Sequence, residues 1–272
     1  MITKHKVKRA VVNLLKKSQT ELGEDVLNLL KLAYETETSA IGKKTLEMIL
    51  EAVDVSKARK VPICQDTGIP IFFLEIGRNL SLDFDIYDAI TEGVRIATKE
   101  IPLRPNAVDP ISRINSGDNT GIGIPVFYTK IVEGDKLRIS VISKGAGSEN
   151  VSRLKMLRPD PEKIFEFILE TVMLAGGKPC PPIIIGVGIG SSFDGAARLA
   201  KEALLRNVNK MTPFEIKIRD KINELGIGPM GLGGNWTALA VLIETNYCHT
   251  ASLPVAVNIQ CWVHRKASAV IV

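Results

Sequence analysis

The sequence predicts a mixed α/β fold of the α+β class, with a helical N-terminal region followed by mixed sheets and flanking helices. Over the first 60 residues, apolar residues recur at i, i+3 or i+4, and i+7, the periodicity of amphipathic helices. Beyond residue 60, short β-branched runs alternate with further helical stripes, separated by glycines and prolines. We expect residues 1–272 to form a single domain, with residues 1–60 as its helical scaffold region.

Three helices are predicted in the N-terminal region. Their apolar stripes are Val7, Val11, Leu14 and Leu15, then Val26, Leu29, Leu30 and Ala33, then Leu46, Ile49, Leu50 and Val53. Such stripes usually pack into a core. We therefore assign this region to scaffold rather than to a cofactor-binding surface.

The later elements follow in order along the chain. Strands are predicted at 69–76, 183–187, 236–245 and 253–259, and helices at 86–97, 161–175 and 213–225 with another beginning near Phe193. The segments 124–131 and 136–143 are β-branched and are joined by Val132-Glu133-Gly134-Asp135. This arrangement predicts a β-hairpin.

Composition excludes several classes of protein. With 45% hydrophobic residues the chain can bury a substantial core, but its apolar runs are shorter than the about 20 residues of a membrane helix. The opening is charged rather than a secretory signal, so we expect a cytoplasmic protein that does not bind membranes. A net charge of +5 with 5% aromatic residues argues against a nucleic-acid partner, whereas it suits a dianionic substrate.

The segment Pro62-Ile63-Cys64-Gln65-Asp66-Thr67-Gly68-Ile69-Pro70 places a thiol, an amide, a carboxylate and a hydroxyl between two prolines. Proline disfavours regular structure here, so an irregular loop running into the strand at 69–76 is predicted. Functional groups in a loop next to the end of a strand often belong to a binding or catalytic site. The competing interpretation is a buried cysteine beside an Asp-Thr-Gly turn.

Two more polar segments are candidates for ligand binding. One is a turn-rich loop that carries Arg104, Asp109, Arg113, Asn115, Asp118 and Asn119. The other is Lys144-Gly145-Ala146-Gly147-Ser148-Glu149-Asn150, in which glycines allow close approach to a small anion and Lys144 adds charge. A solvated loop and a simple glycine turn are the competing interpretations.

A second thiol, Cys180, lies among prolines directly before the strand at 183–187. The following Gly186-Val187-Gly188-Ile189-Gly190-Ser191-Ser192 leads into a helix, as in dinucleotide-binding proteins. The dinucleotide fingerprint fails, however, because its third glycine is replaced and no acidic residue lies about 20 positions further on. The helix N-terminus there could still favour an anion.

The four cysteines contain no CxxC pair, which argues against a zinc ribbon and a thioredoxin-type motif. Inert core thiols and a metal cluster assembled from distant loops both remain open. His249, alone in its segment, is more often a structural histidine than a catalyst. The glycine-rich segment 226–235 contains more glycine than packing alone requires.

Five segments together resemble the α subunit of class I, iron-sulfur-dependent fumarate hydratase and L-tartrate dehydratase. They are Cys64-Gln65-Asp66-Thr67-Gly68, Lys144-Gly145-Ala146-Gly147-Ser148, Cys180-Pro181-Pro182, the glycine loop 226–234, and His249-Thr250-Ala251-Ser252-Leu253-Pro254-Val255 followed by Cys261. The segments occur in the family's order and cover nearly the whole chain.

This resemblance implies a 4Fe-4S cluster held in loops by Cys64, Cys180 and Cys261. Three ligands for four irons leave one iron with open positions, where it acts as a Lewis acid. Cys248 matches no ligand position, and we assign it to the core.

The resemblance further implies a lyase that hydrates fumarate reversibly to L-malate, a reaction of the tricarboxylic acid cycle. Its catalytic residues would be Asp66, which assists proton transfer, and His249. The substrate-binding residues would be Gln65, Arg104, Lys144, Gly145 and Gly147.

In this family a separate β subunit supplies the rest of the site, so an α2β2 heteromer is expected. The alternative function is that of an L(+)-tartrate dehydratase α subunit, converting tartrate to oxaloacetate. Rivals from other classes are a glycine-loop dinucleotide-binding protein and a noncatalytic scaffold. The failed fingerprint disfavours the first, and three cysteines at ligand-matching positions disfavour the second.

Overall fold

The computed structural model describes residues 2–272, which form two compact units. Unit 1 consists of residues 2–23, 53–145 and 265–272, and unit 2 of residues 24–52 and 146–264. Each unit contains a four-stranded mixed sheet and helices, so the predicted α+β class is confirmed. Within residues 2–272, no helix is both long and apolar enough to cross a membrane.

The predicted helices and strands follow one another along the chain in the predicted order. The helices are α1 (Lys4–Thr20), α2 (Glu24–Thr36), α3 (Ala40–Arg59), α4 (Ile86–Glu100), α5 (Ala146–Glu149), α6 (Glu162–Ala175), α7 (Phe193–Ala203) and α8 (Pro213–Asn223). The strands are β1 (Ile69–Gly77), β2 (Val126–Val132), β3 (Leu137–Lys144), β4 (Arg153–Leu157), β5 (Ile183–Ile189), β6 (Ala238–Thr245), β7 (Leu253–Gln260) and β8 (Lys266–Ile271). The three N-terminal helices are confirmed.

The sheet of unit 1 has the strand order β2-β1-β3-β8. β1 runs parallel to β2 and antiparallel to β3, and β3 runs antiparallel to β8. Buried apolar residues of α1 and α4, including Val11 and Ile90, form one core with residues of this sheet such as Leu74 and Ile139. The helix stripes read from the sequence therefore cover a sheet, as expected for scaffold.

The predicted hairpin of β2 and β3 is wrong. These two strands, both fully described, do not pair with each other, because β1 lies between them. Their connection passes around the end of β1, where the Gly77 amide donates to the Lys136 carbonyl at 2.8 Å and the Arg78 amide to the Val132 carbonyl at 2.8 Å. β1 is a nearly continuous buried run, so it is stabilised by neighbours on both edges.

The sheet of unit 2 has the strand order β4-β7-β5-β6, with β5 parallel to β6 and antiparallel to β7. The alternating glycines of β5 allow α7 to pack closely on the sheet. A Cβ on Gly188 would come within 2.1 Å of the Ala196 carbonyl oxygen, and one on Gly186 within 2.0 Å of that of Ala200. Helix packing thus accounts for glycines that suggested a dinucleotide fingerprint.

Candidate active site

One edge of the unit 1 sheet collects several of the predicted site residues. β1 begins opposite the last residue of β3, and β8 begins two residue pairs from that point. The segments that precede β1, follow β3 and precede β8 therefore meet at this edge. They carry Asp66, Lys144, Gly145 and Arg265.

The loop before β1 is held by buried polar contacts. Gln19 Nε2 donates to the Thr67 carbonyl at 2.8 Å, and the Ile63 amide donates to the Gln19 carbonyl at 2.9 Å. Thr67 Oγ1 donates to the Arg104 carbonyl at 3.0 Å, which also accepts from Asn119 Nδ2 at 3.1 Å. These bonds fix the backbone on both sides of Asp66, and they join it to the loop that carries Arg104.

Asp66 is half-buried at the centre of this arrangement. Its Oδ1 accepts a hydrogen bond from the Gly68 amide at 3.0 Å, as in an Asx turn. A Cβ on Gly145 would come within 2.9 Å of both Asp66 Oδ2 and Arg265 Nη2. Gly145 is therefore needed for space, because any larger residue would displace the carboxylate or the guanidinium.

Arg265 is a further residue at this sheet edge, and the sequence did not predict its place there. It is only 1% exposed, its Nη1 donates to the Asp66 carbonyl, and its Nε lies 3.5 Å from the Ser143 carbonyl. Buried arginines are rare unless their donors are satisfied. The available signal was the basic run His264-Arg265-Lys266, which begins three residues after Cys261 and leads into a short strand.

The other basic and amide residues differ in their exposure. Lys144 is buried at 4% exposure, whereas Arg104 and Gln65 are exposed. The backbone of Arg104 is fixed through its carbonyl, so its guanidinium projects from an anchored point. An exposed guanidinium fork on a fixed backbone suits recognition of a carboxylate.

Unit 2 places two of the predicted ligands together. Cys180 lies before β5 and Cys261 after β7, and these strands are antiparallel neighbours with Ile184 opposite Gln260. Both thiols therefore lie at the same edge of the sheet, and both are half-buried. The Cys180 amide donates to the Gly177 carbonyl at 3.1 Å, and Cys261 Sγ lies 3.7 Å from the Val263 carbonyl.

His249 lies at the opposite edge of that sheet. Its loop, residues 246–252, joins β6 to β7 beyond the far end of β5. β5 has seven residues, which corresponds to about 20 Å of strand. The structure thus does not bring His249 together with Cys180 and Cys261; it is exposed, and its Nδ1 accepts from the Ala251 amide at 3.1 Å.

Cys248 lies in the same loop as His249 and is exposed. Its expected place in the core is therefore wrong, because the 246–252 loop projects from the sheet edge instead of packing beneath it. Gly147, in the short helix α5, is exposed, and a Cβ there would make only an ordinary 3.5 Å contact. Space alone therefore does not require glycine at this position.

The donor set suits a soft metal centre. All four cysteines are thiols, and Cys64, Cys180 and Cys261 lie half-buried in loops next to strands rather than inside a core. Thiolates in such positions are the usual ligands of iron-sulfur clusters. Within residues 2–272, no group of three or more histidine, cysteine, aspartate or glutamate side chains is arranged to hold a metal ion.

Comparison with known proteins decides the family. The family model of fumarate hydratase (Fumerase) matches residues 8–270. The chain belongs to the fumarate hydratase family. It is 48% identical to the putative L(+)-tartrate dehydratase subunit alpha of Methanocaldococcus jannaschii, with 96% of each chain covered. It is 33% identical to the L(+)-tartrate dehydratase subunit alpha of Escherichia coli (strain K12), over 98% of this chain and 91% of the relative. The family recognised from five segments is confirmed, and so is the assignment to a hydro-lyase.

Proposed function

We propose that this fumarate hydratase family member is the α subunit of a cytoplasmic iron-sulfur hydro-lyase that hydrates fumarate reversibly to L-malate. The observation that carries the proposal is the edge of the unit 1 sheet, where the half-buried Asp66 carboxylate and the buried Arg265 guanidinium both approach Gly145, and the adjacent Lys144 is buried. A site that moves protons on a dianion needs this combination of groups.

Cys64, Cys180 and Cys261 would hold the cluster. Cys180 and Cys261 lie at one edge of the unit 2 sheet, and Cys64 lies two residues before Asp66. Cys248 is exposed at the other edge of the unit 2 sheet, which supports its exclusion. When bound, a 4Fe-4S cluster with three thiolate ligands supplies a Lewis-acidic iron with open coordination positions.

The protein's own groups would handle the proton and the carboxylates. Asp66, oriented through Oδ1 by the Gly68 amide, would hold the proton exchanged with water at Oδ2. Arg265 fixes the Asp66 backbone through its carbonyl. Arg104 would bind one substrate carboxylate with its exposed guanidinium, and Lys144 would add positive charge.

A catalytic role for His249 stays a proposal; within unit 2 its loop lies at the far edge of the sheet from Cys180 and Cys261. Gln65, exposed next to Asp66, stays a proposed substrate contact, as does Gly145 through the close approach that it permits.

A separate β subunit would complete the site. The relatives are each called a subunit alpha, so they are parts of larger enzymes. Fumarate carries a carboxylate at each end, and burying either one unpaired is unfavourable by several kcal/mol. The loop that carries Arg104 also exposes Ile111, Ile114 and Ile122 at 92%, 72% and 107%, an apolar surface suited to a partner. We propose an α2β2 assembly.

Dehydration of L(+)-tartrate to oxaloacetate is the second candidate, and the names of both relatives favour it. Tartrate differs from malate by one hydroxyl group. The described residues at the unit 1 edge offer both substrates the same carboxylate-binding cations.

The test is an assay of the complex reconstituted anaerobically from α and β, with fumarate, L-malate and L(+)-tartrate as substrates. The proposal predicts the highest kcat/KM for fumarate and malate, and negligible turnover by α alone. A higher kcat/KM for tartrate would establish the second candidate. Absence of turnover on all three substrates would contradict both.

The same assay tests Arg104. The substitution Arg104→Ala should lower kcat/KM about 30-fold, since a lost charged hydrogen bond amounts to about 2 kcal/mol. The matched control is Arg78→Ala, because Arg78 is exposed beyond the opposite end of β1 and its ion pair is with Glu133. Equal activity of the two variants would remove Arg104 from the site.

A further inference from the structure

We infer that the buried carboxylate of Glu37 positions the Cys180 thiol by holding the glycine loop, defined as residues 226–235. All of the residues concerned lie in unit 2. The importance of the thiol for the reaction rests on the proposed function, whereas its placement by Glu37 is a property of the folded chain. The apolar pattern around Glu37 predicts only scaffold helices, and it does not indicate that this carboxylate positions a thiol.

Glu37 lies between α2 and α3 and is 4% exposed. Its Oε1 accepts from the amides of Thr38 and Ser39, both at 2.9 Å. Its Oε2 accepts from the amide of Asn235 at 2.8 Å and from that of Trp236 at 3.3 Å. A carboxylate is tolerated in a buried place when several amides donate to it, so this one joins the helix junction to the end of the glycine loop.

The space around Glu37 is closely fitted to the carboxylate. A Cβ on Gly234 would come within 2.8 Å of Glu37 Oε2, and one on Gly42 within 3.0 Å of Glu37 Cδ. Gly234 also has φ +133°, a conformation that other residues rarely adopt. Glycine is therefore required where the loop meets the carboxylate.

The glycine loop in turn contacts the segment that carries Cys180. The Gly233 amide donates to the Ile227 carbonyl at 2.9 Å, which closes the loop on itself. The Met230 amide donates to the Pro181 carbonyl at 2.7 Å, directly after Cys180. On the other side of Cys180, a Cβ on Gly177 would lie 3.1 Å from Gly231 Cα, so the two backbones touch there as well.

Cys180 itself adopts a left-handed conformation, with φ +55°. A residue with a side chain stays in this conformation only where its surroundings hold it. The glycine loop contacts the chain on both sides of Cys180. Loss of the Glu37 contacts should therefore loosen the loop and make the half-buried thiol more accessible.

The test compares Glu37→Gln with wild type as purified α chain without iron. Glutamine keeps the size of the side chain but replaces one acceptor oxygen by an amide donor that faces other donors. Iodoacetamide is added under native conditions, and modification of each cysteine is followed by peptide mass spectrometry. We expect Cys180 to react about fivefold faster or more, while Cys261 changes less than about twofold, because only the opening of the glycine loop is altered.

Glu35→Gln is the matched control, since Glu35 is an exposed glutamate two residues earlier in the chain. Gly234→Ala is a second variant that should raise the Cys180 rate by the same route, because its methyl group would displace the carboxylate. An unchanged Cys180 rate in both variants overturns the inference, as does an equal rise for Cys180 and Cys261, which would indicate general loosening.

Iron binding separates this inference from the proposed function. If wild type binds no iron-sulfur cluster but Glu37→Gln still accelerates Cys180 alone, the proposed function fails and the placement by Glu37 stands. If wild type binds the cluster and the Cys180 rate is insensitive to Glu37, the proposed function stands and the placement fails.

Discussion

Replacing Arg265 by methionine should destabilise unit 1 and disturb Asp66. Methionine fills much of the same volume, so the main loss is that of a buried charged donor to the carbonyls of Asp66 and Ser143. A hydrogen bond from a charged group contributes about 1.5–3 kcal/mol, and a buried acceptor left unpaired is unfavourable on the same scale. The Ser143 contact at 3.5 Å is long and contributes less. We therefore expect a loss of about 2–4 kcal/mol in the free energy of unfolding.

The assay is urea unfolding of the α chain followed by circular dichroism. Arg138→Met serves as the control, because Arg138 lies on the same sheet but is half-exposed and paired with Glu75 at 3.1 Å. Exposed ion pairs contribute about 0–1 kcal/mol, so this variant should unfold close to wild type. If Arg265→Met is no less stable than Arg138→Met, Arg265 does not hold the Asp66 backbone.

Two further predictions follow from the unit 1 contacts. Gly145→Ala should lower kcat/KM of the complex about tenfold or more, because its methyl group would lie 2.9 Å from Asp66 Oδ2; an unchanged kcat/KM would show that the carboxylate can move freely. A hydrogen bond from Lys4, and a weaker contribution from Lys8, lower the pKa of Glu92 from its ordinary value of 4.5 to about 2. The ionised Glu92 carboxylate therefore stabilises the fold fully above pH 4.5, and this stabilisation is lost as the pH falls towards 2. The difference in Tm between wild type and Glu92→Gln should shrink over that range and also with added salt, and a constant difference would contradict this.

Individual helices and strands could be predicted from the sequence, whereas the pairing of one strand with another could not. Amphipathic helices such as α1 were predictable because burial on one face imposes the 3.6-residue period. β2 and β3 were recognised as strands, but their pairing with β1 depends on contacts that no local pattern records. β4 and β8 were missed because neither forms a β-branched run: β4 is Arg-Leu-Lys-Met-Leu, and β8 begins with Lys-Ala-Ser-Ala.

The same distinction applies to the site. The loops with Cys64 and Cys180 were predicted as candidates because reactive side chains among prolines are unusual in scaffold. Arg265 was missed because it lies in the run His264-Arg265-Lys266, which is no different from an exposed basic turn until its burial is known. The position of His249 depends on the register of β5 against β6 and β7, which puts its loop at the far edge.

Iron and sulfide analysis of four cysteine variants tests the central claim most directly. Each of Cys64→Ser, Cys180→Ser and Cys261→Ser, purified anaerobically and reconstituted, should fail to retain a 4Fe-4S cluster, because three thiolates are needed to hold it. Cys248→Ser should bind as much iron and sulfide as wild type, since Cys248 is exposed at the opposite sheet edge from Cys180 and Cys261. Normal iron and sulfide content in any of the first three variants would contradict the proposed ligand set.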